Sequence, residues 1–161
     1  AQMATITQKF NPRLNVGATP WGNTHGLKYT LETNAAGAVV NSNSAAAIAI
    51  GDKVRIGVIP AGTSLLDSLV ILSVAMTASV TGKIGFEYVD GVDSTAVPQD
   101  DDYFMVAGQS LATAARLRNA TTNAAVTLPK DAWLILTTAG AANAKVSKLD
   151  FILFGGSEGT A

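Results

Sequence analysis

Lys53-Val54-Arg55-Ile56-Gly57-Val58-Ile59-Pro60-Ala61-Gly62 is the stretch that decides the fold. Val54, Ile56 and Val58 alternate with Lys53, Arg55 and Gly57, the period of a strand with one face on a core and the other in water. Pro60-Ala61-Gly62-Thr63 breaks the run, because proline removes a ladder donor and glycine turns the chain without a steric penalty. Beyond the break, Leu65 to Met76 is a longer apolar segment interrupted by Asp67, Ser68 and Ser73. Gly82 to Val89 alternates again, with Ile84, Phe86 and Tyr88 opposite Lys83, Gly85 and Glu87. Three consecutive strands between Gly51 and Gly91 therefore form the unit around which the rest is arranged.

Upstream, Leu27, Tyr29 and Leu31 alternate with Lys28, Thr30 and Glu32, Asn34 to Gly37 reads as a turn, and Ala38 to Val40 as a short return strand. Residues 1–26 read as an extended N-terminal arm. Ile6, Phe10, Leu14, Val16 and Trp21 are isolated apolar anchors there, and Pro12 and Pro20 disfavour helix. Downstream, Asp90 to Asp102 holds Gly91, Pro98 and five aspartates and reads as a solvent-facing loop. Tyr103 to Ala107 follows as a short strand. Leu111 to Arg118 fits both helical and strand spacing, with the strand preferred. Ala132 to Thr138 and Val146 to Phe154 alternate clearly, and the tail from Gly155 is glycine-rich and loose. About eight to ten short strands with turn signals at the spacing of a sandwich imply an all-β fold. The expected architecture is an antiparallel β-sandwich of jelly-roll type over 27–155, with the arm before it and a flexible tail at 156–161.

The 161 residues are 48% hydrophobic and 14% charged, against roughly 25% charged in typical soluble domains. Surface covered by partners or sister subunits accounts for such a deficit, as does a surface built from Ala, Ser, Thr and Asn. The formal net charge of −1 excludes a whole-protein basic field for nucleic acid. Charge is placed unevenly, however. Before Glu32 only Lys9, Arg13 and Lys28 are charged, whereas between Lys83 and Arg116 there are only acids. The chain contains no cysteine, which excludes disulfides, thiolate-bound zinc and thiol nucleophiles. Ala1 to Thr5 lacks the basic-then-apolar order of a secretory signal, and Leu65 to Ala78 is too short and too interrupted to cross a bilayer. The expectation is a soluble polypeptide with no membrane partner.

Chemistry-bearing residues are sparse. His25 is the single histidine, and no Gly-x-Ser-x-Gly elbow accompanies it, so it reads as a surface or interface residue. Asp90, Asp93, Asp100, Asp101 and Asp102 are weak candidates for a cation site of hard oxygen ligands, and a solvated loop is the preferred reading. Asp67 and Asp150 interrupt apolar strands, facing water or pairing with Arg55 or Lys148. Arg116 and Arg118 flank Leu117 at strand spacing, so both point one way, either as a solvated face or as a pair that suits a partner's carboxylate. No dinucleotide fingerprint, phosphate loop or basic-aromatic cluster is present. No cofactor and no enzymatic activity are expected.

Several segments resemble the small capsid decoration, or cement, proteins of tailed bacteriophage heads. They are Gly51 to Gly62, Leu66-Asp67-Ser68, Gly85 to Asp93, Pro98 to Phe104 and Leu128 to Leu134. The resemblance implies a jelly-roll-like homo-oligomer, a trimer in preference to a dimer, that sits on the outer surface of an icosahedral shell. It would be made in the host bacterial cytoplasm and would reinforce joints between subunits of the major capsid protein. Lys9, Phe10, Arg13 and Trp21 of the arm, with Arg116 and Arg118, are the expected partner-binding residues. A carbohydrate-binding jelly roll for host attachment is the alternative; it needs a groove lined by aromatics such as Trp21, Tyr29, Tyr88, Tyr103 and Trp133.

Overall fold

The computed structural model describes residues 3–9, 24–118 and 121–157. Among these residues the alternating segments become ten strands: β1 (Thr5–Thr7), β2 (Thr24–Thr33), β3 (Lys53–Ile59), β4 (Thr63–Val74), β5 (Thr81–Tyr88), β6 (Asp100–Ser110), β7 (Ala115–Arg118), β8 (Val126–Thr127), β9 (Ala132–Ala139) and β10 (Ser147–Ser157). One sheet has the order β1-β3-β9-β5-β6 and the other β2-β10-β4-β7, with β8 pairing beside β4. Most connections cross from one sheet to the other, so β3-β9-β5-β6 and β2-β10-β4-β7 interleave as the two four-stranded halves of a jelly roll. The pairs within each half are antiparallel, while β1 adds to the edge of β3 in parallel. The all-β sandwich expected from the alternation is therefore the fold.

Inward-facing residues of both sheets make one core. Ile84, Phe86 and Tyr88 of β5, Leu134 and Leu136 of β9, and Leu149, Phe151 and Leu153 of β10 are all buried. An edge-to-face aromatic chain crosses this core. Tyr88 meets Phe86, Phe86 meets Tyr103, Tyr103 meets Phe104, and Phe104 meets Phe151 of the opposite sheet at 5.1 Å between ring centroids. Such contacts add about 0.5–1.5 kcal/mol each beyond area burial. Tyr29 closes the chain against Phe151 and donates its hydroxyl to the Val58 carbonyl at 2.8 Å, tying β2 to β3 across the sandwich. Burial drives the Tyr29 phenol far above its ordinary pKa, so it remains a donor.

Four expectations need correction. Val58 does not share the inward face of Val54 and Ile56: a bulge between Arg55 and Gly57 flips the alternation, so Gly57 and Ile59 turn inward and Val58 outward. Asp100, Asp101 and Asp102 open strand β6 and are not part of the loop, because Asp100 pairs with Phe86 across two irregular registers. Gly155 and Gly156 are not loose tail; they pair with His25 and Thr24 on one side and with Leu65 and Ser64 on the other. Asp67 and Asp150 pair with neither Arg55 nor Lys148: Arg118 binds Asp67, and Asp150 accepts from Thr30 and lies 3.8 Å from Lys28. Each of these partners sits on the adjacent strand, which the topology supplies and local spacing does not.

Two buried polar groups organise the end of the sandwich where β2, β4, β6 and β9 finish. Asp52 is 4% exposed, and its carboxylate accepts from the amides of Ala4 at 2.9 Å and Ala49 at 2.8 Å. That carboxylate anchors the approach to β1. Asn143 is buried, with its side-chain oxygen accepting from Thr77 and its amide donating to Thr33 Oγ1 and the Lys145 carbonyl. Gly37 packs directly on it: its φ is +83°, and a Cβ there would lie 2.1 Å from the Asn143 carbonyl oxygen. Only glycine fits that contact.

Candidate interaction surfaces

The outer face of the first sheet is crossed by internal ion pairs. Glu87 accepts from Lys53 at 2.6 Å and from Arg55 at 3.1 Å, and the Arg55 guanidinium lies 5.1 Å from the Trp133 ring centroid. Lys83 binds Asp101 at 2.6 Å. Lys130 binds Asp90 at 2.9 Å and stands over the Tyr88 ring. On the second sheet, Lys148 reaches Glu32 at 3.3 Å and Arg118 reaches Asp67 at 2.6 Å. Among the described residues, Lys9, Arg116 and Lys145 are the basic side chains outside these pairs. The sequence leaves few charges, and the fold neutralises most of them internally.

The five aspartates do not converge on one point. Asp90 caps its own turn by accepting from the Val92 amide, and Lys130 holds its carboxyl below the ordinary range. Asp93 accepts from the amides of Ser94 and Gln99 at 2.8 Å each, closing the loop on itself. Asp100, Asp101 and Asp102 form a separate group with carboxylate oxygens within 4.8 Å of one another, the one acidic grouping of metal-ligand type among the described residues. β6 enters here directly over Gly85: a Cβ on Gly85 would lie 2.1 Å from the Asp100 carbonyl oxygen. Glycine at 85 is what lets this strand start cross so closely.

Crowding of like charges raises the Asp102 carboxyl above its ordinary pKa, first through a hydrogen bond with Asp100, then through burial and the charges of Asp100 and Asp101. The folded protein therefore holds this proton more tightly than the unfolded chain. Ionised Asp102 costs stability above its raised folded pKa, and the cost is relieved as the pH falls through it. Asp102→Asn is expected to melt above the parent at about pH 7. The difference should shrink as the pH falls through the raised pKa of the folded carboxyl, below which the parent is protonated too. A melting temperature unchanged or lowered at neutral pH would contradict this.

Arg116 and Arg118 both project from β7 while Leu117 turns toward the core. On the same outer face Leu69 and Ile71 of β4 run beside Ile152 of β10, and Phe154 lies exposed at its end. Nothing in the sequence reading singled out this strip; its signal was the apolar residue at every second position on the outward side of β4 and β10. Between β6 and β7 a cleft of about 60 Å³ is lined by Val70, Phe104, Met105, Leu117 and Arg118. That is room for a few waters. Lys9 is exposed, while Phe10, Arg13 and Trp21 lie outside the described residues. Of the other aromatics considered for a sugar groove, Tyr88 and Tyr103 are buried in the core chain, Tyr29 packs on Phe151, and Trp133 is half-buried beneath Arg55.

The described arrangement is a stiff block with largely self-neutralised faces. Its fold recurs in solved phage shells. A chain in the capsid of Ralstonia phage GP4 superposes with a TM-score of 0.64 over 98% of this chain and 100% of that one, at 14% identity. A chain of the cyanophage Pam1 capsid asymmetric unit matches with a TM-score of 0.53, covering 91% of this chain and 96% of that one at 13% identity. A chain of the acidic stable capsid structure of Helicobacter pylori bacteriophage KHP30 matches with a TM-score of 0.51 over 83% and 90% of the two chains, again at 13% identity. No protein-family model and no curated protein sequence matches. At these identities the likeness is one of fold: the chain shares its jelly roll with chains found in three phage capsid structures.

Proposed function

We propose that the protein is a structural virion component, a decoration or cement protein that binds the outside of an icosahedral bacteriophage capsid and reinforces contacts between subunits of the major capsid protein. The observation that carries this reading is the match with a chain of the Ralstonia phage capsid over 98% of this chain and 100% of that one. The internally paired charges support it as well, because contacts with neighbours then rest on shape and apolar area, as the cores of protein interfaces do. Binding of this kind gains strength from repetition: many symmetric copies each add a modest contact across capsomer boundaries.

Sister copies meet through the Leu69, Ile71, Ile152 and Phe154 strip beside Arg116 and Arg118, in a homo-oligomer for which three-fold symmetry is preferred. The arm, expected over residues 1–26, acts as a strap through the part between β1 and β2, since Thr5–Thr7 and Thr24–Gly26 pair into the sheets. Lys9 and Arg13 supply its positive charge and Phe10 and Trp21 its anchors, laid on acidic shell surface or on a sister's acidic loop. Deleting residues 1–20 removes buried Ile6 and β1 together, and should cost roughly 2 kcal/mol of stability as well as shell affinity. The double reversal Lys9→Glu/Arg13→Glu leaves Ile6 in place and tests the strap alone. It is expected to keep the parent melting temperature and to bind undecorated capsids several-fold more weakly at low salt, with the deficit shrinking as salt rises. Parent-like binding at low salt would remove the arm from the mechanism.

A further inference from the structure

The two ends of the sandwich differ sharply in charge. The connections at one end include 60–62, 89–99 and 121–131, and they hold Asp90, Asp93, Lys130 and Asp131, with Asp100–Asp102 at the adjoining strand start. The connections at the other end are 34–52, 75–80, 111–114 and 140–146. Within these connections Lys145 is the one exposed charge, since Asp52 is buried; at the adjoining strand ends Glu32 pairs with Lys148 and Lys53 with Glu87, and Lys9 lies beside Asn41. Large apolar side chains stand out from this end nonetheless: Met3 is 72% exposed, Ile50 60%, Val146 49% and Val74 42%. Around them lie exposed Ala35, Ala36, Ala45, Ala46, Ala142 and Ala144.

These loops are also held rigid. Asp52 fixes Ala4 and Ala49, and Asn143 fixes Thr33, Thr77 and Lys145, while the backbone N–H of Asn143 donates to the Ile48 carbonyl at 2.9 Å. Asn34 accepts from the amides of Ala36 and Ala38, and Ser42 bonds the carbonyls of Val39 and Ser44. An end that is uncharged, apolar and preorganised is one that can be desolvated without stripping water from ions and bound without ordering loops. The acidic end has the opposite property.

We infer that the uncharged end, centred on Ile50 and Val146, is the face that docks on the capsid shell, and that the acidic end points outward into solvent. This rests on the capsid-binding reading above and adds the orientation and the chemistry of the partner. The occupant is an uncharged surface of the shell protein, because a charge buried against these connections would find Lys145 as their one exposed counter-ion, the nearby Glu32 and Lys148 already being paired with one another.

Full-length protein is mixed with undecorated capsids and the bound fraction read by pelleting the shells. Ile50→Glu/Val146→Glu places two charges on exposed positions of the docking end, and Val92→Glu places one at an exposed position of the acidic end. The double variant is expected to melt and to sediment on its own like the parent, but to bind shells at least about tenfold more weakly; Val92→Glu is expected to bind like the parent. Parent-like binding by the double variant, or loss of binding by Val92→Glu instead, overturns the orientation. So does a changed oligomer size of the double variant without shells, which would assign the face to a sister copy. If the double variant melts low, Ala46→Arg at an exposed methyl of the same end gives the same reading. Failure of the parent protein itself to bind sinks the capsid-binding reading, and this one with it, and is distinct from binding that the substitutions leave unchanged.

Discussion

Phe151→Ala is expected to lower the unfolding free energy by about 4 kcal/mol, within the range measured for large aromatic truncations in cores. Phe151 is 0% exposed and lies on β10, the strand flanked by β2 and β4 on either side. Its ring meets Phe104 of the opposite sheet at 5.1 Å and Tyr29 of the neighbouring strand at 6.4 Å. Truncation therefore opens a cavity where the two sheets are pinned together, and rigid flanking strands limit collapse into it. Urea unfolding should show a midpoint moved down with an unchanged slope. Phe151→Leu, which fills most of the space, should cost appreciably less. A loss below about 1 kcal/mol for the alanine variant would mean that the sheets are not pinned through this ring.

Asn143→Ala is the second large effect, about 3 kcal/mol, because it deletes a buried hydrogen-bond hub and strands its partners. The side-chain amide donates to Thr33 Oγ1 at 3.1 Å and to the Lys145 carbonyl at 3.0 Å, and its oxygen accepts from the Thr77 amide at 3.1 Å. Thr33 and Ser147 also bond one another at 2.7 Å within the same buried patch. Amide exchange is expected to accelerate in 34–48, 75–80 and 140–146 and to stay slow in β5 and β9. Because those loops form the inferred docking end, the variant should also bind shells more weakly than its residual stability would suggest. Uniform exchange across the molecule would contradict the hub.

Most of the architecture is written in period-two alternation. The inward sets of β5, β9 and β10 follow directly from Ile84-Phe86-Tyr88, Leu134-Leu136 and Leu149-Phe151-Leu153, since a strand with one apolar face has one stable orientation against a core. Where alternation failed, a backbone irregularity intervened. Gly57 inside the β3 pattern was the available sign of a bulge. Asp100–Asp102 hid a strand start because aspartates are poor strand formers, and only the approach of Phe86 and Gly85 holds them in the sheet. Ion-pair partners were not readable at all: Glu87 lies 34 residues from Lys53 and Asp67 lies 51 from Arg118, separations that only the jelly-roll crossings close. The outer strip of Leu69, Ile71 and Ile152 and the uncharged end were both visible as residues, but their gathering onto single surfaces depends on topology.

The most direct measurement is sedimentation of the purified protein with undecorated capsids across a range of protein concentrations. Saturable co-pelleting at a fixed number of copies per shell, with shells made more resistant to heat or chelator once decorated, is the result expected of a capsid-reinforcing protein. Protein that stays in the supernatant at every concentration, or that coats shells without saturating and without stabilising them, would contradict it.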